Sequence, residues 1–277
     1  MKFFGLKSWA KCVLIALFLT GASYPVYGDV IATYSSAGSQ TPDTTALCAG
    51  TTGCWVGMQT FNSGTVPSSG SAFPTLQSSG TVSGNTISGT ITGTFSGTGL
   101  VITTANEYGG AGGTGYFADV SNGKSYTLTL GKTGNIPGVN YFGLWFSALD
   151  GGNDLKFYDG NTLLLDFTPT LYQKLVGACP NSFCGNPTST YKGQDGSEQF
   201  AFLNFFDTTG YITSIVFTET SSAGFESDNF TVAYQDPSNP SGTVIGSTPE
   251  PGSFVLLLSG MIVLIGLSRR LGFRVQG

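Results

Sequence analysis

The sequence predicts an all-β protein, an antiparallel β-sandwich of jelly-roll type, with a short apolar segment at each end. Three observations point there. Of 277 residues, 41 are glycine and 13% are aromatic, whereas only 10% are charged. Short runs of alternating polarity, separated by Gly, Asn and Asp, fill most of residues 78–234. Nothing in that region has the spacing of a long amphipathic helix. The composition also excludes chemistry. With no histidine there is no Ser-His-Asp triad, no His general base and no His-ligated metal. A net charge of −5 argues against a nucleic-acid partner.

The first element is a secretory leader over residues 1–28. Lys2, Lys7 and Lys11 form its basic region, and residues 12–20 (CVLIALFLT) form its apolar region. Val26-Tyr27-Gly28 places small residues where a signal peptidase reads them, so cleavage is expected after Gly28. An N-terminal membrane helix is the rival reading, but the apolar run is short and breakers follow it.

Residues 29–234 form the exported domain. Residues 78–102 alternate small polar residues with Val82, Ile87, Ile91 and Phe95, which reads as extended strands with one poorly filled face. A Gly/Ser/Thr-rich linker is the alternative. Residues 126–130 (YTLTL) alternate cleanly. Residues 141–146 (YFGLWF), 155–158 (LKFY) and 162–167 (TLLLDF) read as a three-strand meander. Its turns lie at Asp150-Gly151-Gly152-Asn153 and Asp159-Gly160. A loop over 169–197 precedes strands at 200–206, 211–220 and 230–234, with a turn at 207–210 between the first two. Residues 235–248 have the composition of a flexible linker.

The last element is a second membrane signal over 249–274. Pro249-Glu250-Pro251 precedes an apolar helix over 254–267 (FVLLLSGMIVLIGL), and Arg269, Arg270 and Arg274 follow. Fourteen residues rising ~1.5 Å each cover ~21 Å, short of a ~30 Å hydrocarbon core, so the helix spans only marginally. The arginines would stay cytoplasmic and the preceding domain would be exported. A Pro-Glu-Pro box, a short apolar helix and an arginine cluster, in that order, resemble the PEP-CTERM sorting signal. The resemblance implies a Gram-negative host that makes extracellular polysaccharide, an exosortase-like processing protease as partner, and transient anchoring in the inner membrane before transfer to the cell surface. An ordinary single-helix anchor is the plainer reading. Within the exported region, residues 110–117, 141–164 and 224–232 are similar, in that order, to a group of exosortase-dependent surface proteins with a lectin-like sandwich. That group supports fold and destination, and no particular chemistry.

Between the two signals the charge is more extreme. Residues 29–250 hold five lysines, no arginine and sixteen acids, a net −11. A polyanion site without arginine would be unusual. Four cysteines remain there, Cys48 with Cys54 and Cys179 with Cys184. In an oxidising compartment they predict two local disulfides, one of three connectivities. A zinc site built from all four thiolates is the rival, against which the wide spacings count.

Several groups are candidate sites. Gly110–Gly115 matches the dinucleotide fingerprint GxGxxG but lacks a following helix, and reads as a glycine loop. Glu226, Asp228 and Asn229 offer oxygens to a structural calcium ion, as less strongly do Asp150, Asp154 and Asp159. Turn chemistry is the plainer reading of both groups. No other cofactor is expected. Trp145 and Tyr158 lead a set of aromatics, with Tyr141, Phe157, Tyr172 and Tyr191, that could form a platform for extracellular polysaccharide if exposed and parallel. Two acids could form a glycosidase pair only at a set separation, which spacing along the chain does not reveal. The expectation is therefore a non-enzymatic surface or matrix protein. A carbohydrate-binding module and a secreted glycoside hydrolase are the alternatives.

Overall fold

A computed structural model describes residues 30–235, apart from 50 and 222. The leader with Gly28, the linker beyond Gln235, and the C-terminal segment with Pro249, Glu250, Pro251, Arg269 and Arg270 lie outside the described residues.

In chain order the elements are β1 (Val30–Tyr34), α1 (Thr44–Cys48), β2 (Gly53–Gln59), β3 (Ser71–Ala72), β4 (Thr75–Val82), β5 (Asn85–Thr86), β6 (Ile91–Ser96) and β7 (Leu100–Thr104). They continue with β8 (Tyr116–Val120), β9 (Ser125–Lys132), β10 (Tyr141–Leu149), β11 (Asn153–Asp159), β12 (Thr162–Phe167), α2 (Pro169–Val176), β13 (Gln199–Asp207), β14 (Ser214–Glu219) and β15 (Phe225–Gln235). Two sheets result. The larger runs β1-β13-β10-β15-β2-β4-β5, and β8, carrying β7, also pairs with β15. The smaller runs β12-β11-β14-β9-β6-β3. Every described strand pair is antiparallel. The expected all-β sandwich is therefore present.

Period-2 alternation sends one side-chain set inward from each sheet. Phe142, Leu144 and Phe146 of β10, Leu203 and Phe205 of β13, and Phe230 and Val232 of β15 face Leu155 and Phe157 of β11, Ile215 and Phe217 of β14, and Tyr126 and Leu128 of β9. Rings lock the layers together. Phe157 lies 4.5 Å from Phe205, and Phe217 stacks on Phe230 at 5.1 Å and on Tyr126 at 4.5 Å. Fully burying such a ring contributes roughly 1.5–3 kcal/mol, so this aromatic layer is the main source of cohesion.

One expectation about connectivity is corrected. The three-strand meander does not form. β10 pairs with β13 and β15 in the larger sheet, while β11 and β12 pair in the smaller one. The 150–153 turn therefore crosses between sheets. The reason lies in β10 itself, whose nine residues are all buried, as a strand covered on both faces requires. Likewise the 207–210 turn joins strands of different sheets. The strand reading of 78–102 holds, with Ile87 and Ile91 buried and β4 largely exposed. The loop after β12 begins with the unanticipated α2, which has Pro169 in its first turn.

Two coverings lie on the outer face of the larger sheet. Leu47 of α1 packs on Cys54, Val56, Tyr141 and Ala233. Ala111, in a glycine loop, packs on Trp145, Ala148, Phe200 and Phe202. Both cysteine pairs are local disulfides, Cys48–Cys54 with Cα atoms 5.4 Å apart and Cys179–Cys184 at 5.8 Å. With all four sulfurs so bonded, the zinc reading falls. The first disulfide ties α1 to β2, and the second closes a loop that joins the end of β13 through Cys184 and Gln199. Two disulfides accord with an oxidising compartment.

Candidate functional site

Glu226, Asp228 and Asn229 lie on β15, the strand with β10 on one edge and β8 followed by β2 on the other. Between Asp228 and Thr231 the register slips by one residue against β10. Asn229 is the extra residue, with φ +51°, a left-handed conformation that asparagine tolerates better than most residues. The bulge lets Phe225 and Ser227 before it, and Phe230 and Val232 after it, all turn inward. Glu226 and Asp228 then share the outer face.

There the three residues do not converge on an ion. The Asp228 carboxylate accepts the N–H of Ala111 at 2.8 Å and of Asn229 at 2.7 Å. The Asn229 amide donates to the Gln40 carbonyl at 2.7 Å, and the Gly112 N–H donates to Gln40 Oε1 at 2.6 Å. The expected calcium ligands are instead stitches that fasten two loops over the sheet. Among the described residues no group of three or more acids or cysteines is placed to hold a metal ion. The glycine loop needs its glycines for this close approach. A Cβ on Gly113 would lie 2.9 Å from Thr190 Oγ1, and one on Gly115 would collide with the Asn62 side chain. β8 follows the loop, so the dinucleotide fingerprint has no helix behind it.

Glu226 stands directly opposite Asp119 of β8. Burial, then the neighbouring Asp119 charge, pushes the Glu226 carboxyl up to about 9. Burial alone outweighs the backbone donors on Asp228 and raises it to about 7. Glu198, half-buried beside Asp195, rises to about 8, chiefly through desolvation. Asp119, Asp150 and Glu219 are raised too, each chiefly by burial. Glu219 is fully buried, accepting from Asn153 Nδ2 at 2.8 Å and from the Ser221 N–H. At this end of the sandwich Glu226 and Glu198 thus keep their protons at neutrality, and Asp228 titrates near it. Asp154 and Asp166 lie elsewhere, on the outer face of the smaller sheet, and share Lys156 at 3.3 and 3.4 Å.

The aromatic platform is also corrected. Trp145 is 0% exposed beneath the glycine loop and cannot meet a sugar ring. Tyr158 is half-buried on β11, in the other sheet, so the two never share a surface. Tyr141, Phe157 and Tyr172 are buried, and Tyr191 spends its hydroxyl on the Ala105 carbonyl at 3.0 Å.

A cavity of about 400 Å³ opens at a place no sequence pattern marks, between the β1–β13 edge and the 35–47 segment. Thr33, Ser35, Asn204 and Phe206 line its sheet side, while Ser36, Ser39, Thr41, Pro42, Asp43, Ala46 and Leu47 line the covering side. Asn204 is held by the Tyr141 hydroxyl, which donates to its Oδ1 at 2.9 Å. Asp43 spends one oxygen capping α1 through the Ala46 N–H at 3.0 Å. The only trace in the sequence is its hydroxyl-rich run at 33–45, which lacks alternation. No protein-family model matches this chain, and a search of curated proteins finds no match.

Proposed function

We propose that this chain is a non-enzymatic surface or matrix protein, exported through its leader and sorted by an exosortase-like protease acting at Pro249-Glu250-Pro251. The observation that carries the reading is the pair of disulfides clamping loops onto a β-sandwich, chemistry suited to an extracytoplasmic, oxidising space. The order of box, apolar run and arginines at the C-terminus agrees with it. So does the net −11 of residues 29–250, which favours solubility outside the cell and repels anionic polymers. The chain's repeated passage between sheets at 150–153 and 207–210 supports the jelly-roll arrangement.

Replacing Pro249 and Glu250 together by alanine tests the sorting. The variant should retain its C-terminal tail and stay with the inner membrane of the native host, seen as a slower band that a tail-specific antibody recognises. Normal release of the variant would refute the proposal.

A further inference from the structure

We infer that the cavity between the β1–β13 edge and the 35–47 segment binds a neutral saccharide. Its lining decides the ligand class. The hydroxyls of Thr33, Ser36, Ser39 and Thr41 make no hydrogen bond within the described residues, so four groups that both donate and accept are unspent. Asn204, fixed in orientation by Tyr141, presents its amide nitrogen, which otherwise meets only Ser35 Oγ at 3.4 Å. Groups of this kind match the alternating donors and acceptors of sugar hydroxyls.

Charge excludes the other small ligands. Among the described residues no lysine or arginine lines the cavity, so a phosphate or carboxylate would have no counter-charge. Among the described residues Asp43 is the one acid there, and half of it is committed to α1, which leaves far fewer oxygens than a divalent cation requires. The apolar part of the lining comes from Phe206 with Tyr34, Pro42, Ala46 and Leu47. The half-buried Phe206 ring, held 4.9 Å from Tyr141, stands with Pro42 and Leu47 where the C–H face of a pyranose could rest. Ser36, Thr41 and Asp43 are exposed at the mouth, so the space is open to solvent. About 400 Å³ lies at the low end of ligand sites and suits a short stretch of chain.

The biological setting of this site rests on the reading of the chain as an exported surface protein, but the binding does not. The test uses the full chain in a zwitterionic amine-oxide detergent, since sugar-headed detergents would compete. Titration calorimetry with maltohexaose, cellohexaose and xylohexaose should give a roughly millimolar or tighter Kd for at least one of them. Polygalacturonate should not bind. Thr33→Val and Thr41→Val should each weaken the interaction roughly 3- to 10-fold. Ser36→Ala, a change at the exposed mouth that leaves folding intact, should weaken it similarly. Melting curves identify any variant that fails to fold, in which case Ser36→Ala decides. Absence of binding by all three neutral oligomers, equal binding of polygalacturonate, or full affinity in Ser36→Ala and the folded threonine variants would each overturn the inference. Because this assay is independent of sorting in the host, it can fail while the tail-processing experiment succeeds, and the reverse.

Discussion

Asp228 takes two backbone N–H bonds, from Ala111 and Asn229, at a position that is 2% exposed. Removing an acceptor from a buried donor costs the donor's desolvation as well as the bond. Asp228→Ala should therefore lose about 2–3 kcal/mol of stability and speed amide exchange at Ala111 and Gly112, whose loop it fastens. Asp228→Asn, which keeps one acceptor, should lose less. Unchanged exchange at Ala111 in Asp228→Ala would mean that the loop is held by something else. The sequence shows why this residue invites a different reading. Glu226, Asp228 and Asn229 are oxygen-rich and adjacent, the composition of both a cation loop and a strand bulge. Only the partners distinguish the two, and Gln40 and Ala111 lie far away along the chain. Trp145 is ambiguous for the same reason. Alternation puts it on the face opposite Phe142, Leu144 and Phe146, but whether that face is wet depends on a distant glycine loop.

At the scale of elements, local signals were reliable and pairings were not. Thr162–Phe167 and its Asp159-Gly160 turn form the β11–β12 hairpin that the turn chemistry implies, with Gly160 at φ +55°. β10 to β11 looked like another hairpin because Asp150–Asn153 has turn composition. A turn that reverses the chain within a sheet and one that carries it to the facing sheet use the same residues. α1 and its disulfide illustrate a constraint that local pattern alone cannot reveal. α1 is a five-residue helix, too short to be stable in isolation. It is capped by Asp43 and tied to β2 through Cys48–Cys54. Cys48→Ser with Cys54→Ser should cost about 2 kcal/mol by releasing the closed loop in the unfolded chain. The 35–49 segment should become the first site of limited proteolysis, because its α1 end over Val56, Tyr141 and Ala233 is then held by Leu47 packing, with the Gln40 bonds to Asn229 and Gly112 fastening the segment further back. Cleavage elsewhere first, with 35–49 still protected, would show that packing suffices without the disulfide.

For the whole molecule, the uneven distribution of charge has a consequence that no single element shows. Five lysines face sixteen acids over residues 29–250, and the ion pairs among the described residues all involve Lys156. The acids at the β8–β15 end thus meet burial and one another, with no cation to offset either. Glu226 rises to about 9, Glu198 to about 8 and Asp228 to about 7, while their ordinary values are 4.5, 4.5 and 3.8. In the unfolded chain these groups have shed their protons by about pH 5, while the folded chain still holds them. The folded state then binds more protons than the unfolded one, so stability must fall as pH rises. The fall begins above the unfolded values near 4.5 and ends once Glu226 has ionised, above about 9. Below about 4.5 both states are protonated and this contribution is fully retained. Self-repulsion of the net charge acts in the same direction. Thermal melts should therefore show a higher Tm at pH 5 than at pH 8.5. Glu226→Gln should narrow the gap, chiefly by raising the value at pH 8.5, because glutamine facing Asp119 never ionises. A Tm that is flat or rises between those pH values, or an unchanged gap in Glu226→Gln, would refute the assignment of protons to this end of the sandwich.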